Sequence, residues 1–268
     1  MFLKKLLFKL IRRYKPRSYG WFNSYSTWQE AQNQCSGYNS DAILKKVKTS
    51  TLKVKSGEAV FERDGVIYDQ IYYSWPLLSQ LLLAASQNNG QLSVIDFGGS
   101  LGTTFFQNRV YLQQLKKVQW SVLEQGNFVT TGQSEIAGNG LDFFYTVEEA
   151  IQNKGEHQVL LLSCVLPYIE KPYELLDYLL KFSFEYIILE STYYNYQPYD
   201  RICIQKVDPV AYDASYPCWL LDYEKVKTIF LNDYTVLTEY ETGIHFYLDG
   251  ERVEYKSVIF KRKDSLQN

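Results

Sequence analysis

VIDFGGSLGTTFF, residues 94–106, runs an apolar strand into an acid, a cluster of glycines and the start of a helix. A nucleotide-type cofactor site begins this way, because glycine lets the backbone turn sharply and lie close to a ligand. Outward from it, strand and helix signals alternate from about Leu92. LSVIDFG, VQWSVLE, LDFFYT, HQVLLLSCV and EYIILES read as strands. SLGTTFFQNRVYLQQLKK, NFVTTGQSEIA, VEEAIQNK, KPYELLDYLLKF and DYEKVKTIFLND read as helices. This alternation predicts an α/β fold with a mostly parallel sheet covered on both faces. YTVLTEYE and EYKSVIFKRK, with an Asp249-Gly250 turn signal between them, predict a closing C-terminal antiparallel hairpin. Residues 192–218, rich in tyrosine, read as irregular. Ligands of such sheets bind beyond the carboxyl ends of the strands. Asp96 to Gly102, Glu124, Tyr145 to Thr146, Ser163 to Val165 and Glu190 to Thr192 would gather there.

The cofactor follows from the chemistry of that loop. Aligning the last two glycines of the dinucleotide fingerprint G-x-G-x-x-G on Gly99 and Gly102 puts Phe97 at the first, so the match fails at the tight turn. Asp96 would also set like charge beside a pyrophosphate. No lysine follows the glycines, which excludes a P-loop. S-adenosylmethionine carries an ammonium and a sulfonium and no phosphate, so an acid at the strand end helps. Asp96, Gly98, Gly99, Ser100 and Gly102 are then its expected holders, and Glu124, 22 positions after Gly102, is placed to accept from the ribose hydroxyls with Gln125 beside it.

The remaining numbers bound the reading. A chain of 268 residues at 46% hydrophobic content supports a large core, and a net charge of −2 gives no basic field for nucleic acid. The four cysteines form no CxxC pair, which speaks against zinc and for a reducing, cytoplasmic setting, and no metal is expected. Residues 1–20 form a basic amphipathic segment, 21–91 a helical cap and 92–268 the cofactor-binding domain. In the N-terminal segment Phe2, Leu3, Leu6, Leu7, Leu10, Ile11 and Tyr14 share helical spacing, with Lys4, Lys5, Lys9, Arg12 and Arg13 mostly opposite. That pattern fits peripheral contact with an anionic membrane at its inner face; the alternative is docking on the protein's own core. It lacks the uninterrupted apolar centre and cleavage site of a signal peptide, and no apolar run is long enough to span a bilayer.

Asp96 to Gly102 resembles the D-x-G-x-G-x-G loop of class I methyltransferases, with Ser100 at the middle glycine. Together with GYNSDAIL, FERDGVIYDQIYYSWPLLSQLL, WSVLEQGNFV, LLLSCVLPYIEKPYELL and YPCWLL, it resembles a family of class I S-adenosylmethionine-dependent methyltransferases associated with bacterial surface-polysaccharide gene clusters. The resemblance covers residue 25 or so to the C-terminus. It implies a Rossmann-like fold with a seven-stranded sheet, and a segment lining the sulfonium that includes Ser163 and Cys164. Where family members carry Asp-Arg-Thr at the end of the fifth strand, this chain has Glu190-Ser191-Thr192, and Pro167 stands at a commonly polar position. Both departures bear on the acceptor.

Methyl transfer from a sulfonium needs alignment of the nucleophile, and a base when that nucleophile is a hydroxyl. The candidates for that base are Glu62, Asp64, Tyr68 and Asp69 of the cap, with Glu190 and His245 near the sheet edge. FERDGVIYDQIYYSW and STYYNYQPYDR interleave aromatics with polar side chains, which suits a saccharide acceptor between the cap and residues 192–218. Tyr68, Tyr72, Tyr193 and Tyr194 are its expected contacts, against the plain alternative that they pack the lid. Two other functions stay open from sequence: a non-catalytic scaffold of the same fold, and a nicotinamide-dependent sugar-nucleotide enzyme.

Overall fold

The computed structural model describes residues 18–36 and 40–263, so the basic N-terminal segment lies almost wholly outside the described residues. Strand β1 (Gly20–Tyr25) leads into helix α1 (Trp28–Asn33). Thr27 caps α1, accepting from the Glu30 N–H at 3.2 Å while the Glu30 carboxylate accepts from the Thr27 N–H at 3.3 Å. This reciprocal box satisfies two orphan donors of the first turn. Helix α2 (Ser40–Ser56) turns Ile43, Val47 and Val54 inward at helical spacing.

β2 (Phe61–Arg63) and β3 (Val66–Tyr68) then form a hairpin within the segment expected to be helical. Its two turn residues, Asp64 and Gly65, have φ of 53° and 74°. Positive φ at both central positions is the Asp-Gly turn whose twist matches that of paired strands. Helix α3 (Trp75–Gln87), with Pro76 in its first turn, follows.

The sheet proper follows. β4 (Gln91–Phe97) leads to α4 (Thr103–Leu112) and β5 (Lys117–Leu123). Helix α5 (Gly126–Thr131) widens into a π turn at Gly132–Ile136 before β6 (Leu141–Phe144). Then come α6 (Val147–Lys154), β7 (Val159–Ser163), α7 (Pro172–Leu179) and β8 (Tyr186–Asn195). The antiparallel pair β9 (Arg201–Lys206) and β10 (Ser215–Asp222) precedes α8 (Tyr223–Phe230), which is followed by β11 (Tyr234–Leu248) and β12 (Glu251–Arg262).

Seven strands run side by side in the order β6-β5-β4-β7-β8-β12-β11. The first five are parallel, and β12 and β11 are antiparallel. Asp249 and Gly250 make the expected turn between the last two. The sheet is larger and more mixed than the sequence suggests, with ten strands among the described residues. β10 joins the tail of β8 through two register pairs, Leu221–Tyr194 and Asp222–Asn195, and carries β9 and then β1 outward. Most of residues 192–218 is therefore ordered sheet, not an irregular stretch. Their strand signal is hidden because Tyr193 and Tyr194 are both buried, so apolar and polar residues do not alternate.

Alternate residues of the central strands fill two core layers. Val94, Trp120, Leu161 and Ile188 pack with α2, α3 and α4, whereas Ile95, Leu160, Leu162 and Leu189 pack with α6, α7 and α8. β4 pairs with β5 on one side and β7 on the other, so the chain reverses its winding direction there. That switch point opens a crevice at the carboxyl end of β4. No helix among the described residues is long and apolar enough to cross a membrane.

Candidate functional site

The crevice is floored by the loop from Asp96 to Gly102. Gly98 (φ 71°) and Ser100 (φ 55°) lie in the left-handed region, and Gly102 (φ 87°) starts α4. The Gly98 N–H donates to the Leu123 carbonyl at 2.8 Å, tying the loop to the end of β5. Glu124, the next residue, closes the other side. Its Oε1 accepts from the Ser100 N–H at 3.3 Å and its Oε2 from the Gln125 N–H at 2.7 Å. A carboxylate has about four acceptor positions, so two remain for a ligand. Burial pushes the Glu124 carboxyl above its usual range, opposed by those two backbone bonds.

Asp96 is fully buried. Its Oδ2 accepts from the Trp120 indole N–H at 3.0 Å, and its Oδ1 has no hydrogen-bond partner among the described residues. Burial raises its pKa to about 7, against the lowering effect of the Trp120 bond and with a further push from Glu124. The glycines serve the loop itself. A Cβ on Gly98 would lie 2.5 Å from Val165 Cγ2, one on Gly99 2.5 Å from the Asp96 carboxyl, and one on Gly102 2.8 Å from Leu141 Cδ2. The sequence argument that these glycines clear space for a ligand is therefore incomplete: the space is already taken by protein.

β7 ends beside β4, which brings Ser163 and Cys164 to the same edge. The Cys164 N–H donates to the Glu190 carbonyl at 2.9 Å. Burial pushes its thiol up to about 12. All nine expected cofactor residues thus meet along one edge of β4, β5 and β7. No lysine or arginine occurs in residues 94–106, 123–127 or 163–165.

The six candidate bases separate. Glu62 is 2% exposed, and accepts from the Thr103 hydroxyl with Oε1 and from the Gly65 N–H with Oε2 at 3.1 Å. It clamps the β2–β3 hairpin to the first residue of α4, and both its oxygens are occupied. Glu190 is 5% exposed beneath Tyr240, whose hydroxyl donates to it at 2.7 Å. Asp69 is exposed on the connection after β3. Tyr68 is 38% exposed, with its ring edge-on to Tyr72. His245 is not brought to the crevice edge. It is exposed on β11, and its neighbour Phe246 takes the inward position against Trp21 and Tyr193. Asp64, at the tip of the hairpin, is exposed to solvent.

Two of the expected acceptor contacts are wall, not surface. Tyr193 and Tyr194 are fully buried, Tyr193 inside a ring of Trp21, Tyr168, Phe246 and Tyr255. Tyr72, 59% exposed, stays accessible. Thr103, Trp120 and Tyr240 escaped the sequence reading. The RDGV hairpin signal was the one sequence clue to where Glu62 and Asp64 would sit.

No family model and no curated protein matches the chain. Among solved structures, the N-terminal domain of EvdMO1, crystallised with S-adenosylhomocysteine and D-fucose, is similar with a TM-score of 0.48 and 16% identity, covering 84% of this chain and 98% of that one. The N-methyltransferase NodS from Bradyrhizobium japonicum WM9, in complex with S-adenosylhomocysteine, gives 0.43 and 12%, covering 80% and 100%. LepI in complex with S-adenosylmethionine gives 0.45 and 10%, covering 69% and 46%.

Proposed function

We propose that the chain is an S-adenosylmethionine-dependent methyltransferase acting on a small-molecule acceptor. The observation that carries this reading is the donor set at the switch point. It offers two acids, one buried with an unpartnered oxygen and one held by loop N–H groups, with no cation in the segments around them. That set suits a ligand with an ammonium, a ribose diol and no phosphate. Asp96 and the backbone of the 98–102 loop would hold the aminoacyl end, and Glu124 the ribose; Ser163 and Cys164 would line the reacting end. When bound, this cofactor supplies an electrophilic methyl group. The chain's own residues position the acceptor and exclude water, which is worth roughly 7–11 kcal/mol when the alignment is good.

Calorimetry with S-adenosylhomocysteine tests the reading. Glu124→Ala should bind it about 10- to 100-fold more weakly, since bonds to a charged acceptor are worth about 1.5–3 kcal/mol. An unchanged dissociation constant would remove Glu124 from the site. A protein stabilised by NAD and indifferent to S-adenosylmethionine would replace the reading with that of a nicotinamide enzyme.

For the acceptor we favour a saccharide or saccharide-linked intermediate of surface-glycan synthesis. The support is the density of tyrosine, with Tyr168 and Tyr255 in the same packed cluster as Cys164. Tyr68 and Tyr72 are exposed, and Tyr168, Tyr212, Tyr216 and Tyr255 are half-buried. Aromatic faces suit the C–H faces of a sugar, and phenol groups suit its hydroxyls.

A further inference from the structure

The carboxyl ends of β7 and β8 hold two strained residues side by side. Cys164, just past β7, has φ 52°, and Ser191 on β8 has φ 48°. Both carry a Cβ into the left-handed region, a strain that collects at functional sites. At the same place β8 and β12 slip register between Lys256 and Val258. Such a bulge re-aims the side chains next to it. Ser257, at the slip, accepts from the Ser191 N–H at 2.8 Å. Glu190 is fixed between these features. Its carbonyl accepts from the Cys164 N–H at 2.9 Å and from the Thr192 hydroxyl at 3.2 Å.

Glu190 and Ser163 are register partners on adjacent parallel strands, which lie about 4.7–4.9 Å apart. Leu161 and Ile188, two positions earlier on each strand, belong to the core layer of α2, α3 and α4, and side chains two apart share a face. Ser163 and Glu190 therefore stand side by side on that face, at the edge assigned above to the reacting end of the cofactor. Tyr240 of β11 packs against the same layer. Its register partner on β12 is the small, fully buried Ser257, so the phenol spans β12 and donates to Glu190 Oε2 at 2.7 Å. The Ser74 hydroxyl lies 3.3 Å from the phenol oxygen. Ser74 precedes α3, where serine ordinarily caps a helix, yet its hydroxyl makes no cap bond and is left for Tyr240. Burial, with a further push from the Glu190 charge, holds the phenol above its usual pKa, so it stays a donor. Glu190 Oε2 is thus occupied. Oε1 takes no bond among the described residues and is not sealed from solvent as Asp96 Oδ1 is.

We propose that Glu190 is the general base that takes the proton from an uncharged acceptor hydroxyl as that oxygen is methylated, and that Tyr240 and Ser74 position its carboxylate. The proposal rests on the methyltransferase reading. The acceptor oxygen forms its bond to the methyl carbon, and its proton passes to Glu190 Oε1. The electron pair of the broken carbon–sulfur bond stays on the sulfur, which leaves as a neutral thioether. Two other buried acids are placed differently. Glu62 has both oxygens occupied. Asp96 is the register partner of Leu161, two positions deeper in the sheet than Ser163. A carboxylate beside Ser163 repels an anionic acceptor and suits a neutral polyol such as a sugar ring.

Two measurements on the full chain test this. Calorimetry with S-adenosylhomocysteine comes first: no binding by the wild type overturns the methyltransferase reading itself. The second is turnover of S-adenosylmethionine with a panel of methyl glycosides of hexoses and 6-deoxyhexoses, read as O-methyl products by mass spectrometry. Glu190→Gln keeps the side chain's shape and an oxygen for Tyr240. It should lower kcat about 10²- to 10⁴-fold, with S-adenosylhomocysteine affinity within about twofold and an unchanged melting temperature. Tyr240→Phe should lower kcat about tenfold at unchanged acceptor KM. Added to Glu190→Gln it should cost nothing more, because its effect passes through the carboxylate. Additive losses would overturn the positioning role of Tyr240. Full activity of Glu190→Gln, or a loss matched by weaker cofactor binding or a lower melting temperature, would overturn the base and spare the methyltransferase reading. Products methylated only on nitrogen, or no product from the whole panel, would overturn the base and the acceptor class together.

Discussion

Gly102→Val should leave the protein far less stable before any ligand is considered. The residue sits at φ 87°, and its added Cβ would lie 2.8 Å from Leu141 Cδ2 on β6. Left-handed strain on a β-branched residue costs about 1–3 kcal/mol, and forcing atoms into a packed core costs about as much again. The expected loss is therefore roughly 2–6 kcal/mol in urea unfolding. Gly57→Ala separates the two effects, because Gly57 has φ 86° and no atom within 4 Å of its missing Cβ. Gly57→Ala should show the strain alone. Equal losses for Gly102→Ala and Gly57→Ala would show that Leu141 gives way and that packing contributes nothing.

Asp96→Asn should change how stability depends on pH. The folded carboxyl titrates at about 7, against 3.8 for the ordinary group. The folded state therefore holds a proton that the unfolded chain has released. Stability from this source is complete below pH 4 and is lost as pH rises through 7, on the order of 4 kcal/mol in all. Asp96→Asn cannot ionise, and its side-chain oxygen can still accept from Trp120. Its stability should fall much less between pH 4 and pH 8, even if its baseline is lower for burying an amide. Parallel stability curves for the two proteins over that range would mean that Asp96 is charged in the folded state after all.

The parallel core was legible because its strands announce themselves locally. VIDFG, WSVLE and VLLLS are short apolar runs ended by polar or glycine residues, and each becomes a strand that delivers its last residues to one edge. Glu124 could be placed relative to Gly102 because a single helix and strand separate them. The cap was harder. Its decisive element has two strands of three residues each, too short for alternation to show, and only the Asp64-Gly65 pair marks it. β9 and β10 were hidden for a different reason. Cys203 and Cys218 face each other across the pair and are both buried, while Tyr, Asn, Asp and Pro fill the flanks and read as loop. Which acid of the hairpin is buried was not legible at all. Glu62 and Asp64 are two positions apart, and only packing against Thr103 seals Glu62.

The three glycines hemmed in by Val165, the Asp96 carboxyl and Leu141 also fix when conformational entropy is lost. At each, a side chain held by the exit of β7, by β4 or by β6 fills the space a Cβ would need. The loop is thus moulded from both sides as the chain folds. Its freedom is given up in that step, at about 1–2 kcal/mol per residue, and not when a ligand arrives. With the Gly98, Ser100 and Gly102 N–H groups already bonded within the protein, the loop's backbone is set before any ligand arrives, and a ligand's binding free energy is not drained by ordering it. The spare hydrogen-bonding capacity left at this edge is that of Glu124, whose carboxylate has two acceptor positions beyond the Ser100 and Gln125 bonds.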